Sequence, residues 1–390
     1  MSLRYKSFPF LFRNGVGRMT GGVFQHPARG ETSSKGDVTS PISDRRIDAA
    51  PAQKRPASRS AERPCRFAWK ALFLVIALFA VAGMACNPLK FLKNTPARNL
   101  PGIQAVTGPI PPRYVASVLD VKVPQSVAVS PDGSLLYVAE GDGERGVRVI
   151  DISTRAFVRN IIPPETTPGG RKPMSIALAP SGILFVVDRL RNVVDMYDAQ
   201  GQWLGVLPDP PLTRNMWEPL ALGFSPDDEL YVTNSNTEGP LIGVYDANGN
   251  FQTTLLVERA SENDFSFATG VVVGDGGITY VSDGNSGRVA ALDADGKLLQ
   301  VYGRAPGPSA LSLPRGIAID DRGYCYIADI TADGVKVWDM SKQPAVFLFA
   351  FGDTGFADGE FQYPTSVAVD GSGRIYIADS GNDRVQIWDY

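Results

Sequence analysis

Apolar residues in the stretch 113–390 follow a two-residue period, in short runs separated by turn-forming residues. Near the end, Val367 and Val369 alternate with small residues, Asp370-Gly-Ser-Gly makes a turn, and Ile375-Tyr-Ile-Ala resumes the alternation. Such alternation over a few residues is typical of half-buried β-strands, and glycine supplies the positive φ angles that hairpin turns need. The pattern predicts an all-β region built of short strands.

This pattern occurs six times along the region. Each copy contains an alternating run, a second run that ends in Asp, Glu or Asn, and a third run that ends in Asp, with a fourth strand in the variable spacer that follows. The copies start 45 to 50 residues apart, which is the length of a four-stranded propeller blade. The sequence therefore predicts a six-bladed β-propeller over residues 113–390. The copies begin at Pro124, Pro173, Pro219, Thr269, Pro314 and Pro364.

The ends of the repeat region predict how the ring closes. The chain stops at Tyr390, after the third strand of the last copy, and residues 113–120 form a strand that belongs to no copy. This strand fits as the missing fourth strand of the last blade, and such pairing leaves no open sheet edge between the first and last blades. We expect a closed, monomeric propeller.

The first 112 residues have a different composition. Residues 1–66 hold 13 basic and 5 acidic residues with no sustained period, which is typical of a disordered arm. Residues 67–86 contain an uncharged apolar run of 15 residues, the length of a secretion signal, although a short membrane anchor helix also fits. Residues 87–112 are rich in proline and form a tether.

The end of the apolar run carries the sequence Gly83-Met-Ala-Cys86. It resembles the lipobox of bacterial lipoproteins, which implies that Cys86 is lipidated and becomes the mature N-terminus. An uncleaved anchor and an ordinary cleaved signal stay open as alternatives, as does a true start of the chain downstream of residues 1–60. In each case we expect an exported protein, in the periplasm or at the cell surface; the lipoprotein and the uncleaved anchor, which we favour, are attached to the membrane through residues 67–86.

Charge and rare residues exclude several classes of function. Residues 113–390 hold 21 basic against 36 acidic residues, so phosphate backbones are repelled and nucleic acid is not an expected partner. The single histidine, His26, lies outside the repeats. The cysteines Cys65, Cys86 and Cys325 lack metal-ligand spacing, and Cys325 is expected to be a buried thiol.

Two columns of acidic residues recur in the copies, and we assign both to the structure of the blade. Short polar side chains at strand ends commonly accept hydrogen bonds from the backbone of the turn that follows. Trp338 and Trp388, at equivalent positions, are expected to pack between blades. The first column is Glu140, Asp188, Asn234, Asp283, Asp329 and Asp379, and the second is Asp151, Asp198, Asp246, Asp293, Asp339 and Asp389.

The last copy has the pattern Pro364-Thr-Ser-Val-Ala-Val-Asp, then Ile-Tyr-Ile-Ala-Asp379-Ser-Gly-Asn-Asp-Arg-Val-Gln-Ile. This pattern resembles the NHL repeat, which implies a propeller of blades around a central channel. Some six-bladed relatives are enzymes: lactonases hold a cation with Glu, Asn and Asp, and the peptide-amidating lyase uses histidine-bound zinc. Because the repeats contain no histidine, the chemistry that depends on it is excluded.

Function is expected where the copies differ, at the start of each first strand and in the preceding loops. Exposed Trp, Met and Arg are typical of binding hot spots, although Trp217 could instead cover the end of the domain. The candidate partner-binding residues are Gln125, Met174, Met216, Trp217, Glu218, Arg315 and Thr365. Leu220 and Thr269 occupy equivalent positions in the other two copies.

These observations favour a non-catalytic binding or scaffold module of the cell envelope, which presents one propeller face to a protein or glycan partner. No cofactor is expected for such a module. The alternative is a Ca²⁺-dependent, lactonase-like hydrolase or lyase with Glu218 and Asp264 among its ligands. The residues at the strand starts do not supply converging oxygen ligands, so binding is favoured and the question of an enzyme stays open.

Overall fold

The computed structural model describes residues 109–164, 166, 170–211, 217–236, 241–256, 265 and 267–390. Within these residues the chain forms six four-stranded antiparallel sheets and one two-stranded parallel sheet. The helical elements described are four single 3₁₀ turns, at Asp275–Gly277, Gly284–Ser286, Ile330–Ala332 and Ser380–Asn382. The predicted all-β architecture is confirmed.

Five sheets are made of consecutive strands. The first blade contains β2 (Pro124–Val129), β3 (Leu135–Glu140), β4 (Val147–Asp151) and β5 (Phe157–Ile161). The second contains β6 (Pro173–Leu178), β7 (Leu184–Asp188), β8 (Val193–Tyr197) and β9 (Trp203–Val206). The third contains β10 (Pro219–Phe224), β11 (Leu230–Asn234), β12 (Leu241–Tyr245) and β13 (Phe251–Leu256).

The remaining blades follow the same order. The fourth contains β14 (Ala268–Val273), β15 (Thr279–Asp283), β16 (Arg288–Leu292) and β17 (Leu298–Tyr302). The fifth contains β18 (Pro314–Ile319), β19 (Tyr324–Asp329), β20 (Gly334–Asp339) and β21 (Val346–Phe351). The sixth contains β24 (Pro364–Val369), β25 (Ile375–Asp379), β26 (Arg384–Asp389) and β1 (Arg113–Val118); β22 (Asp353–Thr354) and β23 (Glu360–Phe361) lie in the loop before it.

The six sheets form a closed ring. Each first strand contacts the first strands of its two neighbours, in the circular order β2, β6, β10, β14, β18, β24 and back to β2. Strand β1 pairs with β26, with Arg113 opposite Asp389 and Val118 opposite Val385. The predicted closure of the last blade by the N-terminal strand is therefore confirmed.

The core of the propeller lies between blades rather than within them. Buried apolar residues form six clusters, and each cluster joins two neighbouring sheets. Trp388 of the sixth blade packs against Phe351 of the fifth, with ring centroids 4.8 Å apart, and Trp338 is buried with residues of the fourth blade. The predicted role of these tryptophans is confirmed. A sheet that buries both faces against neighbours is stabilised mainly by ring closure and apolar burial.

The inner strands approach each other closely because their third residue is small. A Cβ atom on Gly270 would lie 2.2 Å from the carbonyl oxygen of Arg315, and one on Gly316 would lie 2.5 Å from the Cα atom of Ser366. In the first, second and sixth blades serine takes this place, and in the third blade alanine does. The Oγ atom of Ser126 accepts a hydrogen bond from the N–H of Ile176 in the next blade. Small residues thus set the width of the central channel.

The acidic column at the end of the second strands has the structural role that the sequence indicates, with one difference. Each member accepts a hydrogen bond of 2.7 to 3.0 Å from a backbone N–H in the segment leading into the first strand, rather than only from the following turn. The antiparallel register brings this segment beside the end of the second strand, as between Pro364 and Asp379. The second column binds the turns that follow, as predicted: Asp198, for example, accepts from Gln200 and Gln202.

The N-terminal predictions lie outside the described residues. These are the arm 1–66, the signal or anchor segment 67–86 with Cys86, and nearly all of the tether 87–112. Within the part of the chain that the structure describes, no helix is long and apolar enough to cross a membrane. Cys325 is buried and unpaired by any disulfide, and burial raises the pKa of its thiol, as expected of a core cysteine.

Candidate functional site

The propeller has two faces, which differ in what they carry. We call the side on which each first strand begins the upper face, and the side on which it ends the lower face. The loops into the first strands and the loops after the second strands lie on the upper face. The residues at the second position of each first strand surround the upper mouth of the channel; they are Gln125, Met174, Leu220, Thr269, Arg315 and Thr365.

Arg315 spans the channel. It is carried by β18 of the fifth blade, and its Nη2 atom lies 3.3 Å from Oε1 of Gln125 in the first blade. The same atom lies 3.6 Å from the Sδ atom of Met174 in the second blade, which stands across the ring from the fifth. The structure thus brings three of the candidate residues, Gln125, Met174 and Arg315, into contact at one point.

No acidic side chain of the described residues neutralises the positive charge of Arg315. Dense protein around the guanidinium removes water and lowers the pKa of Arg315 to about 10, so the group still carries its charge at neutral pH. The side chain stays partly accessible through the channel. Both of its contacts are long and go to neutral atoms, and no carboxylate of the described residues forms an ion pair with it.

A second cation stands near the same mouth. Lys172 precedes β6, and its pKa is lowered first by burial and then by the positive charge of Arg315, with smaller effects from Arg145 and Arg189. Lys172 is nonetheless partly exposed to solvent. Sequence reasoning did not identify Lys172, because its position before the second blade is occupied by unrelated residues in the other copies.

Thr365 and Thr269 hold neighbouring blades together. Thr365 is buried, and its hydroxyl donates a hydrogen bond of 2.9 Å to the carbonyl oxygen of Pro124 in the first blade. Thr269 donates in the same way to Pro314, at 2.8 Å. The structure therefore places Thr365 at the seam that closes the ring, and its role in partner binding stays a prediction.

Trp217 is buried in the core, whereas its neighbour Glu218 lies near the surface and forms an ion pair. Trp217 is only 5% exposed and packs among core residues of the second and third blades, so the indole covers the interior and is not presented to solvent. Glu218 is half-buried, and its carboxylate accepts a hydrogen bond of 2.7 Å from Arg189. Met216 lies outside the described residues.

Exposed apolar side chains mark the upper face, and the alignment of the copies did not single them out. They lie in the loops between blades or after second strands, where periodicity carries no information about exposure. Phe356 is 73% exposed, Leu119 67%, Tyr363 57% and Leu190 56%. The lower-face turns are rich in aspartates, and exposed apolar side chains also stand where the fourth strands begin on that side, at Phe157, Trp203 and Val346.

Tyr363 is also held in an unusual backbone conformation. Its φ angle is 51°, in the left-handed region that a bulky residue rarely adopts, and a proline follows it. The backbone N–H of Tyr363 donates a 2.8 Å hydrogen bond to Oδ1 of Asp333 in the preceding blade. This contact between blades fixes the exposed ring on the upper face. Val123, at the equivalent position before the first blade, has a φ angle of 46° and donates in the same way to Asp383, so this conformation belongs to the joint between blades.

The alternative function, a Ca²⁺-dependent hydrolase or lyase, requires several oxygen ligands close together. Within the described ranges, no three His, Cys, Asp or Glu side chains are close enough to hold a metal ion. Of the two ligands proposed from the sequence, Glu218 pairs with Arg189, and Asp264 lies outside those ranges. The Ca²⁺ site therefore stays a prediction.

A ring of six sheets around a central channel defines the class of this protein: it is a six-bladed β-propeller. Its last blade is an NHL repeat, since the family model for that repeat matches residues 361–388. The NHL propeller fold indicates a protein-binding or scaffold role.

Solved structures resemble the chain in fold. One is hydrazine synthase from Kuenenia stuttgartiensis, 17% identical with a TM-score of 0.50, where the match covers 73% of this chain and 99% of the other. Another is a protein of unknown function from Bacteroides caccae, 16% identical with a TM-score of 0.51, covering 63% of this chain and 83% of the other. Such identities show the fold alone. Among curated proteins, none matches the sequence.

Proposed function

We propose that the protein is a non-catalytic binding module of the cell envelope, whose upper face holds a protein or glycan partner. The observation that carries this proposal is the exposure of Phe356, Leu119, Tyr363 and Leu190, which are four of the five most exposed large apolar side chains in the described part of the chain and lie in loops on the face with the upper channel mouth. Apolar and aromatic side chains rimmed by polar residues mark binding surfaces. Gln125, Met174, Glu218 and Arg315 belong to this surface.

The turns of the lower face are acidic. They carry many aspartates and few basic residues, and several of these aspartates, Asp132, Asp151 and Asp246 among them, have a lowered pKa because turn hydroxyl or amide groups donate to the carboxylate. These side chains are therefore already engaged in the turns. A strongly acidic surface favours solubility over tight packing against a partner.

Attachment to the membrane is compatible with an accessible upper face. Strand β1 begins at Arg113 opposite Asp389, which ends the third strand of the sixth blade on the lower face. The chain therefore joins the propeller on the side away from the channel mouth. Export and attachment through residues 67–86, by lipidation of Cys86 or by an uncleaved anchor, belong to this proposal.

Site-specific photo-cross-linking tests this proposal. In cells that produce the full chain, p-benzoylphenylalanine replaces Leu190 or Tyr363 on the upper face, and Gln200 or Asp321 on the lower face. We expect the protein in the membrane fraction, and one discrete cross-linked product from the upper positions. The lower positions are the matched controls and should give little.

The result that would overturn the proposal is equally specific. Cross-linking from Gln200 or Asp321 alone, or the absence of a discrete product from both upper positions, would rule out the upper face as the binding surface. Recovery of the chain only in the soluble cell interior would rule out the cell envelope.

A further inference from the structure

The positive charge of Arg315 has no counter-charge among the described residues. A guanidinium has five N–H donors, and the two contacts of Arg315 both use Nη2 and reach neutral acceptors. The other donors have no partner in the described part of the chain, while the side chain remains accessible from the channel. A desolvated, charged group with unused donors costs free energy unless an anion approaches it.

The groups around Arg315 indicate what kind of anion fits. Lys172 adds a second positive charge, close enough for the charge of Arg315 to act on its pKa. Met174 supplies apolar surface, and Gln125 supplies a neutral amide. Such a wall suits a singly charged group with an apolar body. A dianion would need additional positive charges nearby, and the propeller has few to offer because it holds 36 acidic against 21 basic residues.

We propose that the upper mouth of the channel binds a carboxylate group, which Arg315 holds through its planar fork and Lys172 supports from the rim. A guanidinium matches the two oxygens of a carboxylate with parallel hydrogen bonds, and these are among the strongest in proteins. This inference rests on the proposed function, because the carboxylate would belong to the partner held by the upper face. Met174 would contact the carbon skeleton next to it.

Calorimetric titration of the full-length protein, in detergent because of residues 67–86, tests the inference with three probes. These are benzoate, acetate and inorganic phosphate. We expect benzoate to bind at one site, more tightly than acetate or phosphate. Arg315→Gln should weaken benzoate binding by about tenfold or more, since the charge-assisted hydrogen bonds are lost.

The matched control is Arg322→Gln, which removes an arginine of the same blade on the lower face. Arg322 pairs with Asp320 at 2.6 Å, away from the channel mouth. Its substitution should therefore leave benzoate binding unchanged within about twofold. Thermal unfolding without probe is a second readout: an uncompensated Arg315 predicts that Arg315→Gln melts at the same temperature as the wild type or higher.

Three results would overturn the inference. One is no benzoate binding, or equal binding in Arg315→Gln. Another is a lower melting temperature of Arg315→Gln without probe, which would show that a carboxylate of the chain itself already neutralises Arg315. Tighter binding of phosphate than of benzoate would reject a carboxylate ligand. If benzoate binds as expected but the upper face cross-links to nothing, the proposed function fails while the carboxylate site stands.

Discussion

Single residues show how the blades keep buried charges balanced. In the fourth blade, Asp283 and Arg288 are fully buried and form an ion pair of 3.1 Å. In the third blade the equivalent positions hold Asn234 and Leu241, so the acid and the base are replaced together. An unpaired buried charge is expensive, whereas a neutral pair is tolerated. A polar residue therefore ends the second strand of every blade, although in the third blade that residue carries no charge.

This comparison predicts a coupled pair of substitutions. Asp283→Asn alone removes the carboxylate that forms an ion pair with the buried Arg288 and should lower the free energy of unfolding by about 3 to 5 kcal/mol. Asp283→Asn with Arg288→Leu reproduces the third blade and should be more stable than the single variant. Urea denaturation of both variants measures the difference. A double variant less stable than Asp283→Asn would contradict the account.

The strands and their pairing could be predicted from the sequence, whereas the exposure of particular side chains could not. Alternation places residues on the two faces of a strand, and the repeats align β1 with the gap in the last blade. Trp217 and Thr365 stand at the expected positions, yet both are buried, because the neighbouring blade covers them. Arg315 could be placed at the channel mouth, but its reach to Met174 depends on the closed ring.

At the scale of the element, the seam between the last and first blades depends on a hydroxyl. Thr365→Val removes the donor to the Pro124 carbonyl and should lower the free energy of unfolding by about 1 to 3 kcal/mol, because a buried acceptor is left unsatisfied. Thr365→Ser keeps the hydroxyl and is the control, expected to be more stable than Thr365→Val. Denaturation midpoints compare the two. Equal stability of Thr365→Val and the wild type would show that this bond does not hold the seam.

At the scale of the whole molecule, the closed ring sets apart an upper and a lower face, whose loops carry different residues. Inter-blade packing uses both faces of every sheet, so functional variation is left to the loops and the channel mouth. The upper face holds Arg315 and the exposed Phe356, Leu119, Tyr363 and Leu190. The lower turns hold aspartates that accept hydrogen bonds from the backbone of the same turns. Both the shared channel and the two faces exist only because β1 joins β26 and closes the ring.

Closure is tested most directly by a disulfide between β1 and β26. Arg113→Cys with Asp389→Cys, in a full-length chain with Cys65 and Cys86 changed to serine, places two exposed cysteines directly opposite each other, within the Cα separation that a disulfide spans. The control pairs Asp389→Cys with Leu119→Cys, at the far end of β1 and about 20 Å away.

Thiol labelling after mild oxidation and denaturation gives the readout. The account predicts that the pair at positions 113 and 389 forms an intramolecular disulfide almost completely, while the control pair stays reduced. If the pair at 113 and 389 stays reduced, or forms only links between molecules, the N-terminal strand does not complete the last blade and the closed ring is contradicted.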